Sequence, residues 1–441
     1  MSEAVSGVSQ AGAGTWPHLR RNFGLGVLNG ALYTVAETLT DPVLVLTWFL
    51  ARLSASNVLI GLVVPLRDVG WFLPQLFIAH SLARRPKKMP AYSAAALLRG
   101  LAWTTMAVVT LTLREPSVLI VAFFIPYVLN SFAGGWAGLP FMDIVAKTIP
   151  AERRGAFFGS RLFLGGALGI AGSVLVRSAL GEQLGRAFPA NVGQLIAIAA
   201  LIAVVALLSF VFVIEPPGEV VETASLSSHL GRAVKLPRRD TNFRLFLITR
   251  VSLMLAQMAT PFFAVYASRE LGAGTDMVGV YLAASTAASV LSNLLWSRIS
   301  YWRGDRAVIR WAAGLGLAMA LLAWLSAPID RAFALTAIAP WLFALVFALV
   351  GAFQSSTSVG GMSLLLEIAP PSDRALYVGL ANSVLGVALL ATSAGGLLVD
   401  WMGYRGLFLL AAGCYAVGLG AAMRLHEPRR MESLLKREIA E

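Results

Sequence analysis

Twelve stretches of mostly apolar residues constrain this chain more than any other feature. Each is close to the roughly 20 residues that a helix needs to cross a hydrocarbon layer about 30 Å thick. The stretches run 23–48, 57–80, 90–112, 117–145, 157–178, 192–214, 244–268, 276–298, 307–327, 333–364, 376–399 and 404–424. Backbone amides have no water to bond in lipid, so such runs must satisfy their own hydrogen bonds as helices. Only 13% of the 441 residues are charged, against about 25% in an ordinary soluble domain, which excludes a plain soluble enzyme.

Lys and Arg outnumber Asp and Glu by 35 to 23, a formal charge of +12. The positions of these residues decide what the excess means, because short basic loops stay cytoplasmic. With the N-terminus inside, 24 of the 35 fall in cytoplasmic segments. Six fall in outer loops, and five (Arg67, Arg99, Arg161, Arg177 and Arg250) fall within spans. The basicity is therefore topological, and no nucleic-acid partner is expected.

The longest polar break is central and divides the chain into a cytoplasmic tail 1–22, a six-helix bundle 23–214, a cytoplasmic linker 215–243, a second bundle 244–424 and a cytoplasmic tail 425–441. The N-terminal tail lacks the apolar core of a cleaved signal and reads as disordered. PAERRGAFFG at 150–159 aligns with PPSDRALYVG at 370–379 at an offset of 220, half the chain, so the bundles are duplicates. Parallel six-helix repeats with a midplane site between them are an architecture of secondary transporters.

The twelve spans, the duplication, the central linker and the basic loops after spans 2 and 8 together resemble the major facilitator superfamily over essentially the whole chain. The resemblance implies an all-α integral membrane fold of twelve transmembrane helices in two pseudo-symmetric six-helix bundles. The family's loop signature usually reads Gly-x-x-x-Asp-Arg-x-Gly-Arg-Arg. SRISYWRGDR at 297–306 keeps Gly304 and Arg306 but has Tyr301 at the Asp position, and HSLARRPKK at 80–88 keeps only the basic residues. Drug antiporters of this family carry Gly-x-x-x-Gly-Pro in span 5; Gly165, Gly169 and Gly172 are present here, without the proline.

Ionisable groups within a bilayer are costly and mark function by default. Span 1 carries Glu37 and Asp41, with Tyr33 and Asn29 continuing the same face at spacing four. Span 2 adds Arg67 and Asp68 at a depth comparable to Glu37, and span 3 adds Arg99. At the 220 offset Glu37 becomes Gln257 and Asp41 becomes Pro261, so the charge is confined to the N-terminal half. The expectation is that Glu37, Asp41, Arg67 and Asp68 carry proton coupling, one acid held by Arg67 while the other changes charge, and that the C-terminal half supplies mainly substrate contacts. The competing reading is a permanent ion-paired knot.

Spans 1, 4, 7 and 10 are central in the family, which makes Tyr33, Asn130, Trp136, Gln257, Tyr266 and Gln354 candidate substrate contacts, with Asn382 on span 11. Asp143, Arg154 and Arg161 are expected to form a charge network latching the inner gate, aided by the loop residues Arg84, Arg85, Arg303, Arg306 and Arg374. Arg250 either snorkels to the inner interface or binds an anion. The run Gln354–Ser358 with Gly360 and Gly361, and GGWAG at 134–138, point to close packing or a bend. Trp48, Trp401 and Tyr404 read as interface anchors.

The lone cysteine, Cys414, and four dispersed histidines build no metal site, no Walker-type loop is present, and no nucleophile–base pair is convincing. No cofactor, metal or enzymatic activity is expected. The leading reading is a monomeric, proton-coupled secondary transporter of the cytoplasmic (inner) membrane, moving a small organic solute by alternating access, with export of amphipathic compounds preferred. Two alternatives stay open. A sugar or metabolite importer would depend on Asn130, Gln257 and Asn382; a lipid or pigment carrier would be indifferent to the proton gradient.

Overall fold

The computed structural model describes residues 18–53, 56–183, 185–218, 236–335, 337–370 and 374–427. Most of both tails and linker residues 219–235 lie outside the described residues, as does the side chain of Arg374. Every described element is helical: α1 (Leu19–Leu39), α2 (Thr47–Leu53), α3 (Asn57–Ala83), α4 (Met89–Thr112), α5 (Pro116–Thr148), α6 (Ala151–Leu180), α7 (Ala190–Val211), α8 (Thr241–Ala256), α9 (Thr260–Glu270), α10 (Met277–Arg303), α11 (Asp305–Phe333), α12 (Ala339–Ile368), α13 (Arg374–Ala391) and α14 (Gly395–Arg424), with a single turn at Leu236–Arg239. Ten stretches among the described residues are long and apolar enough to cross a membrane. One of them, Leu376–Arg424, covers two expected spans joined at Gly403, and α3 occupies the position of expected span 2 outside those ten.

The joins are set by local chemistry. Gly403 (φ 71°) breaks α14, and Gly304 (φ 80°) alone separates α10 from α11; both conformations are open to glycine and strained for other residues. Span 9 runs on through Pro328 to Phe333, and span 10 starts at Ala339 rather than 333. Span 1 is interrupted because Asp41 precedes Pro42, whose ring excludes the helical region for the residue before it. Asp41 is accordingly extended (φ −51°, ψ 122°), and Oδ1 accepts from the Val43 and Leu44 amides at 2.9 and 2.8 Å, capping a π-helical turn, Pro42–Leu46. Span 7 breaks at the equivalent place: α8 passes through a 3-10 turn, Gln257–Ala259, into α9 with Pro261 in its first turn.

The duplication is visible in other contacts. Near the start of α1, Asn22 clasps the Ile214 backbone at the end of the N-terminal half, with bonds of 3.0 and 3.1 Å. In the C-terminal half Asn242 clasps His426 identically, at 3.1 and 2.9 Å. Glycines let helices meet backbone to backbone: Gly135 of α5 lies on the Trp71 carbonyl of α3, and Gly351 of α12 on the Ser285 carbonyl of α10. Large apolar side chains such as Leu97, Leu201 and Val387 are about two-thirds exposed around the perimeter, the surface a lipid-facing helix presents. Trp401 is exposed with them, but Trp48, expected as an interface anchor, is buried against Phe188 in the core.

The two Asn clasps lie on the face that carries the first and last described residues, the terminal face. The halves press together at the opposite, far face. There Asn57 Nδ2 donates to Asp400 Oδ1 at 2.6 Å, Arg177 pairs with Asp276 at 3.4 Å, and Gly61 lies on the Gly396 backbone. Helices α6 and α10 touch from Arg177 against Gly279 to Gly166 against Val290. Nearer the terminal face their side chains, Leu162 and Phe163 on one and Leu291 and Leu294 on the other, are exposed. The halves therefore splay toward the terminal face.

Candidate functional site

A cavity of about 510 Å³ lies within the N-terminal half, walled by Tyr33, Glu37 and Thr40 of span 1, Arg67, Asp68 and Trp71 of α3, Arg99, Trp103 and Met106 of α4, and Phe123, Tyr127, Asn130, Ser131 and Gly134 of α5. Ile196 of α7 and Met254 of α8 complete it, so one side chain of the C-terminal half reaches it. Tyr33 and Glu37 share a helical face at spacing four, as do Asn130 and Gly134.

The four charged groups on this wall are handled differently. Arg67 Nε pairs with its neighbour Asp68 at 3.0 Å. The Arg67 carbonyl accepts the Ser131 hydroxyl, and Tyr127 donates to the Val63 carbonyl at 2.9 Å, which ties α3 to α5 at the cavity floor. Arg99, 9% exposed, donates to the Tyr33 hydroxyl and, at 3.4 Å, to Asn130 Oδ1, with its guanidinium 4.3 Å from the Tyr33 ring centroid. Trp103 Nε1 donates to the same hydroxyl at 3.4 Å. Two acids and two bases balance formally, yet Arg99 is satisfied by neutral groups. Glu37 is exposed on the wall and has no ion pair among those described.

The sequence expectations divide on this geometry. Glu37, Arg67, Asp68, Tyr33 and Asn130 are brought together, with Arg99. Asp41 leaves the stripe because the helix ends before it, and its carboxylate is spent on backbone amides. Trp136, two residues beyond Gly134, is turned away from the cavity and packs against the Tyr92–Phe210 cluster. Tyr266 is core rather than cavity. It is 1% exposed among Phe343, Tyr404 and Phe408, and its hydroxyl meets Ser326 Oγ and the Ala327 amide, each at 3.2 Å. Gln257 begins the 3-10 turn, its backbone carbonyl accepting the Thr260 amide, while Gln354 and Asn382 are exposed on α12 and α13. None of the three lines this cavity. The expected division, with coupling in one half and substrate contacts in the other, is therefore not drawn here: aromatic, polar and charged lining all come from the N-terminal half. Trp71, Trp103 and Tyr127 were missed in the sequence, although Trp71 follows Arg67 at spacing four and Tyr127 precedes Asn130 by three.

The expected latch of Asp143, Arg154 and Arg161 does not form. Asp143 pairs with Lys147 at 2.5 Å, one helical turn away, and Lys147 reaches Glu215 at 3.0 Å. Glu215, whose side chain is 1% exposed, accepts the Lys88 and Met89 amides at 2.8 and 2.7 Å and caps α4. Arg154 turns back on the carbonyls of Ala146 and Ile149 at the end of α5. Arg161 crosses to α1, donating to Gly26 O at 2.5 Å and Asn29 Oδ1 at 3.2 Å beneath the Phe141 ring. In the other half Arg250 of α8 packs against Gly361 of α12 and donates to Thr357 O at 3.4 Å. Arg84 and Arg85 are exposed beyond α3; Arg306 bonds Leu425 O at 2.8 Å, and Arg303 is exposed beside it.

Residues 245–439 match the sequence model of the Major Facilitator Superfamily. No curated protein matches the chain in sequence. Among solved structures, a mutant of the nucleoside transporter NupG is 16% identical and superposes with a TM-score of 0.68, covering 92% of this chain and 100% of its own. A D-xylose-proton symporter is 19% identical, with a TM-score of 0.64 over 92% of this chain and 97% of its own. A bacterial homologue of the iron transporter ferroportin covers 92% of this chain and 99% of its own in both of its states. Its TM-score is 0.68 in the inward-facing state, at 13% identity, and 0.60 in the outward-facing state, at 16%. The C-terminal part of the chain thus matches the sequence model of the Major Facilitator Superfamily, and the fold is shared with these solved transporter structures over nine-tenths of the chain.

Proposed function

We propose that this protein is a proton-coupled secondary transporter that exports amphipathic organic compounds from the cytoplasm by alternating access. In this reading it sits in the inner membrane with its terminal face cytoplasmic, and the described state, with the far face closed, faces inward. The higher similarity to the inward-facing ferroportin homologue supports that state.

One observation carries the coupling assignment: of the acids expected to couple, Glu37 alone stands on the cavity wall without a described partner. Protonating Asp68 costs an ion pair, and protonating Asp41 costs two amide bonds at the span 1 break. Protonating Glu37 breaks neither, which is why the coupling proton is assigned to it in this reading. An ionised Glu37 facing Trp71, Trp103 and Tyr127 is complementary to an organic cation with planar apolar surface, because the rings attract a cation and the carboxylate balances it. A proton and such a cation then compete for one site, which is antiport by differential binding. Arg99, with Tyr33 and Asn130, forms the polar wall opposite.

The test uses proteoliposomes with an imposed pH gradient and two organic cations, ethidium and tetraphenylphosphonium, as probes. Wild type should accumulate probe against its gradient when the trans side is acidic. Glu37→Gln should abolish accumulation, while Asp68→Asn leaves a pH-dependent remainder. Gradient-driven accumulation at wild-type rates in Glu37→Gln would falsify the assignment.

A further inference from the structure

We propose that the groove between α11 and α14 on the terminal face is a binding site for an anionic phospholipid, its phosphate held by Arg303, Arg306 and Arg310. The groove, about 650 Å³, is separate from the central cavity and shares no residue with it. Its chemistry changes along its length in the way a phospholipid does. At the terminal end stand the three arginines, with Glu427 the one acid among the lining residues and a net formal charge of +2. Gly314 lies eight residues past Arg306, about 12 Å deeper into the bilayer at 1.5 Å per residue. There the groove is apolar, bounded by Leu419.

The arginines are fixed in place. Arg306 donates to Leu425 O at 2.8 Å, and Arg310 donates to Ala422 O and Met423 O at 2.9 and 2.5 Å, satisfying the carbonyls that end α14. A guanidinium has five donors, so each retains N–H groups for a phosphate. Tyr301 and Trp302 are 76% and 75% exposed at the arginine end, where aromatic side chains settle between headgroups and acyl chains, and Trp311, 52% exposed, stands about 7.5 Å deeper than Arg306 along α11. Basic pockets between membrane helices on the cytoplasmic side are suited to anionic headgroups. Gly314 leaves open space on its outer side, with nothing within 4 Å of where a β-carbon would stand, which gives an acyl chain its channel.

The experiment is native mass spectrometry and thermal shift of the full chain in detergent, titrated with phosphatidylglycerol, phosphatidylethanolamine, phosphatidylcholine or sn-glycerol 3-phosphate. Phosphatidylglycerol should be retained and should raise Tm, since a ligand that binds the folded state stabilises it. Phosphatidylcholine and sn-glycerol 3-phosphate should do neither at equal concentration. Arg303→Gln should weaken phosphatidylglycerol about fivefold, the effect of one basic residue near an anionic headgroup. Because Arg306 and Arg310 also hold α14, the second variant is Gly314→Leu, which fills the channel, leaves all three arginines, and should weaken binding at least as much. Equal retention of phosphatidylcholine or phosphatidylethanolamine, full competition by sn-glycerol 3-phosphate, or wild-type affinity in both variants overturns the proposal.

Discussion

The far-face closure gives the sharpest handle on the transport cycle, and Asn57 is the residue to change. Its amide donates to Asp400 Oδ1 at 2.6 Å across the junction of the halves, and its Oδ1 lies 3.5 Å from the Tyr404 hydroxyl, which in turn accepts from Arg269 at 2.7 Å. A hydrogen bond to a charged group contributes about 1.5–3 kcal/mol. Asp400 is exposed, so water replaces the lost donor and the lower end applies; Asn57→Ala should cost the closed state about 1.5 kcal/mol, close to tenfold in the ratio of closed to open. Asn57→Asp should open it further, because two carboxylates would then face each other where a donor met an acceptor. The assay is pulsed electron resonance distance measurement between labels at exposed far-face positions, Ser117→Cys and Ala337→Cys, with Cys414→Ser as background. Wild type should give mainly the shorter distance, and the longer component should grow in the order wild type, Asn57→Ala, Asn57→Asp. An unchanged distribution in both variants refutes the latch.

Three further outcomes follow from contacts described above. Glu215→Gln removes the carboxylate that caps α4 and meets Lys147, and should cost about 2–3 kcal/mol in mixed-micelle unfolding, less than a fully orphaned buried pair because Asp143 retains Lys147. Gly351→Leu drives a side chain into the Ser285 backbone and should prevent recovery of monodisperse protein, whereas Gly413→Ala, with open space around it, should purify as wild type in size-exclusion chromatography. Tyr266→Phe loses the hydroxyl's bonds to Ser326 and the Ala327 amide, and should lower stability by about 1 kcal/mol with probe affinity unchanged; a specific loss of probe binding would return Tyr266 to the substrate site.

The span pattern was legible because the hydrocarbon thickness leaves little choice: a run of about 20 apolar residues has one way to satisfy its amides. The duplication was legible in the 150–159 and 370–379 segments, and Pro42, Pro261 and the two Asn clasps repeat it in space. That Glu37 and Tyr33 share a face was legible in their spacing of four, and both line the cavity. Asp41 was misread because the spacing rule assumes an unbroken helix, although the Asp41–Pro42 dipeptide itself signals the break. Arg161 was misassigned for a different reason. Its partners, Gly26 and Asn29, lie some 130 residues away on α1, and no local periodicity reports which of several basic residues reaches which helix. Tyr266 fell to the same limit, since whether an aromatic on a broken helix faces cavity or core depends on α11 and α12 packed around it.

The asymmetry between the halves has an energetic logic. Duplicated clasps, breaks and glycine contacts keep each half a rigid body, and rigid-body rocking requires shape symmetry, with no need for charge symmetry. With Met254 the C-terminal contribution to the cavity wall, that half can move across the site without breaking an ion pair. The contact between α6 and α10 is extensive, running from Arg177 on Gly279 through Gly169 near Thr286 to Gly166 on Val290, and apolar toward its terminal-face end. Opening is resisted by this contact and by the far-face group, whose bonds are partly exposed and individually worth about 1–2 kcal/mol. One proton moving down one pH unit supplies about 1.4 kcal/mol. Under the proposed coupling, one proton is therefore comparable in scale to one far-face bond such as Asn57–Asp400, and the remaining contacts of the junction must be re-formed or offset elsewhere in the open state.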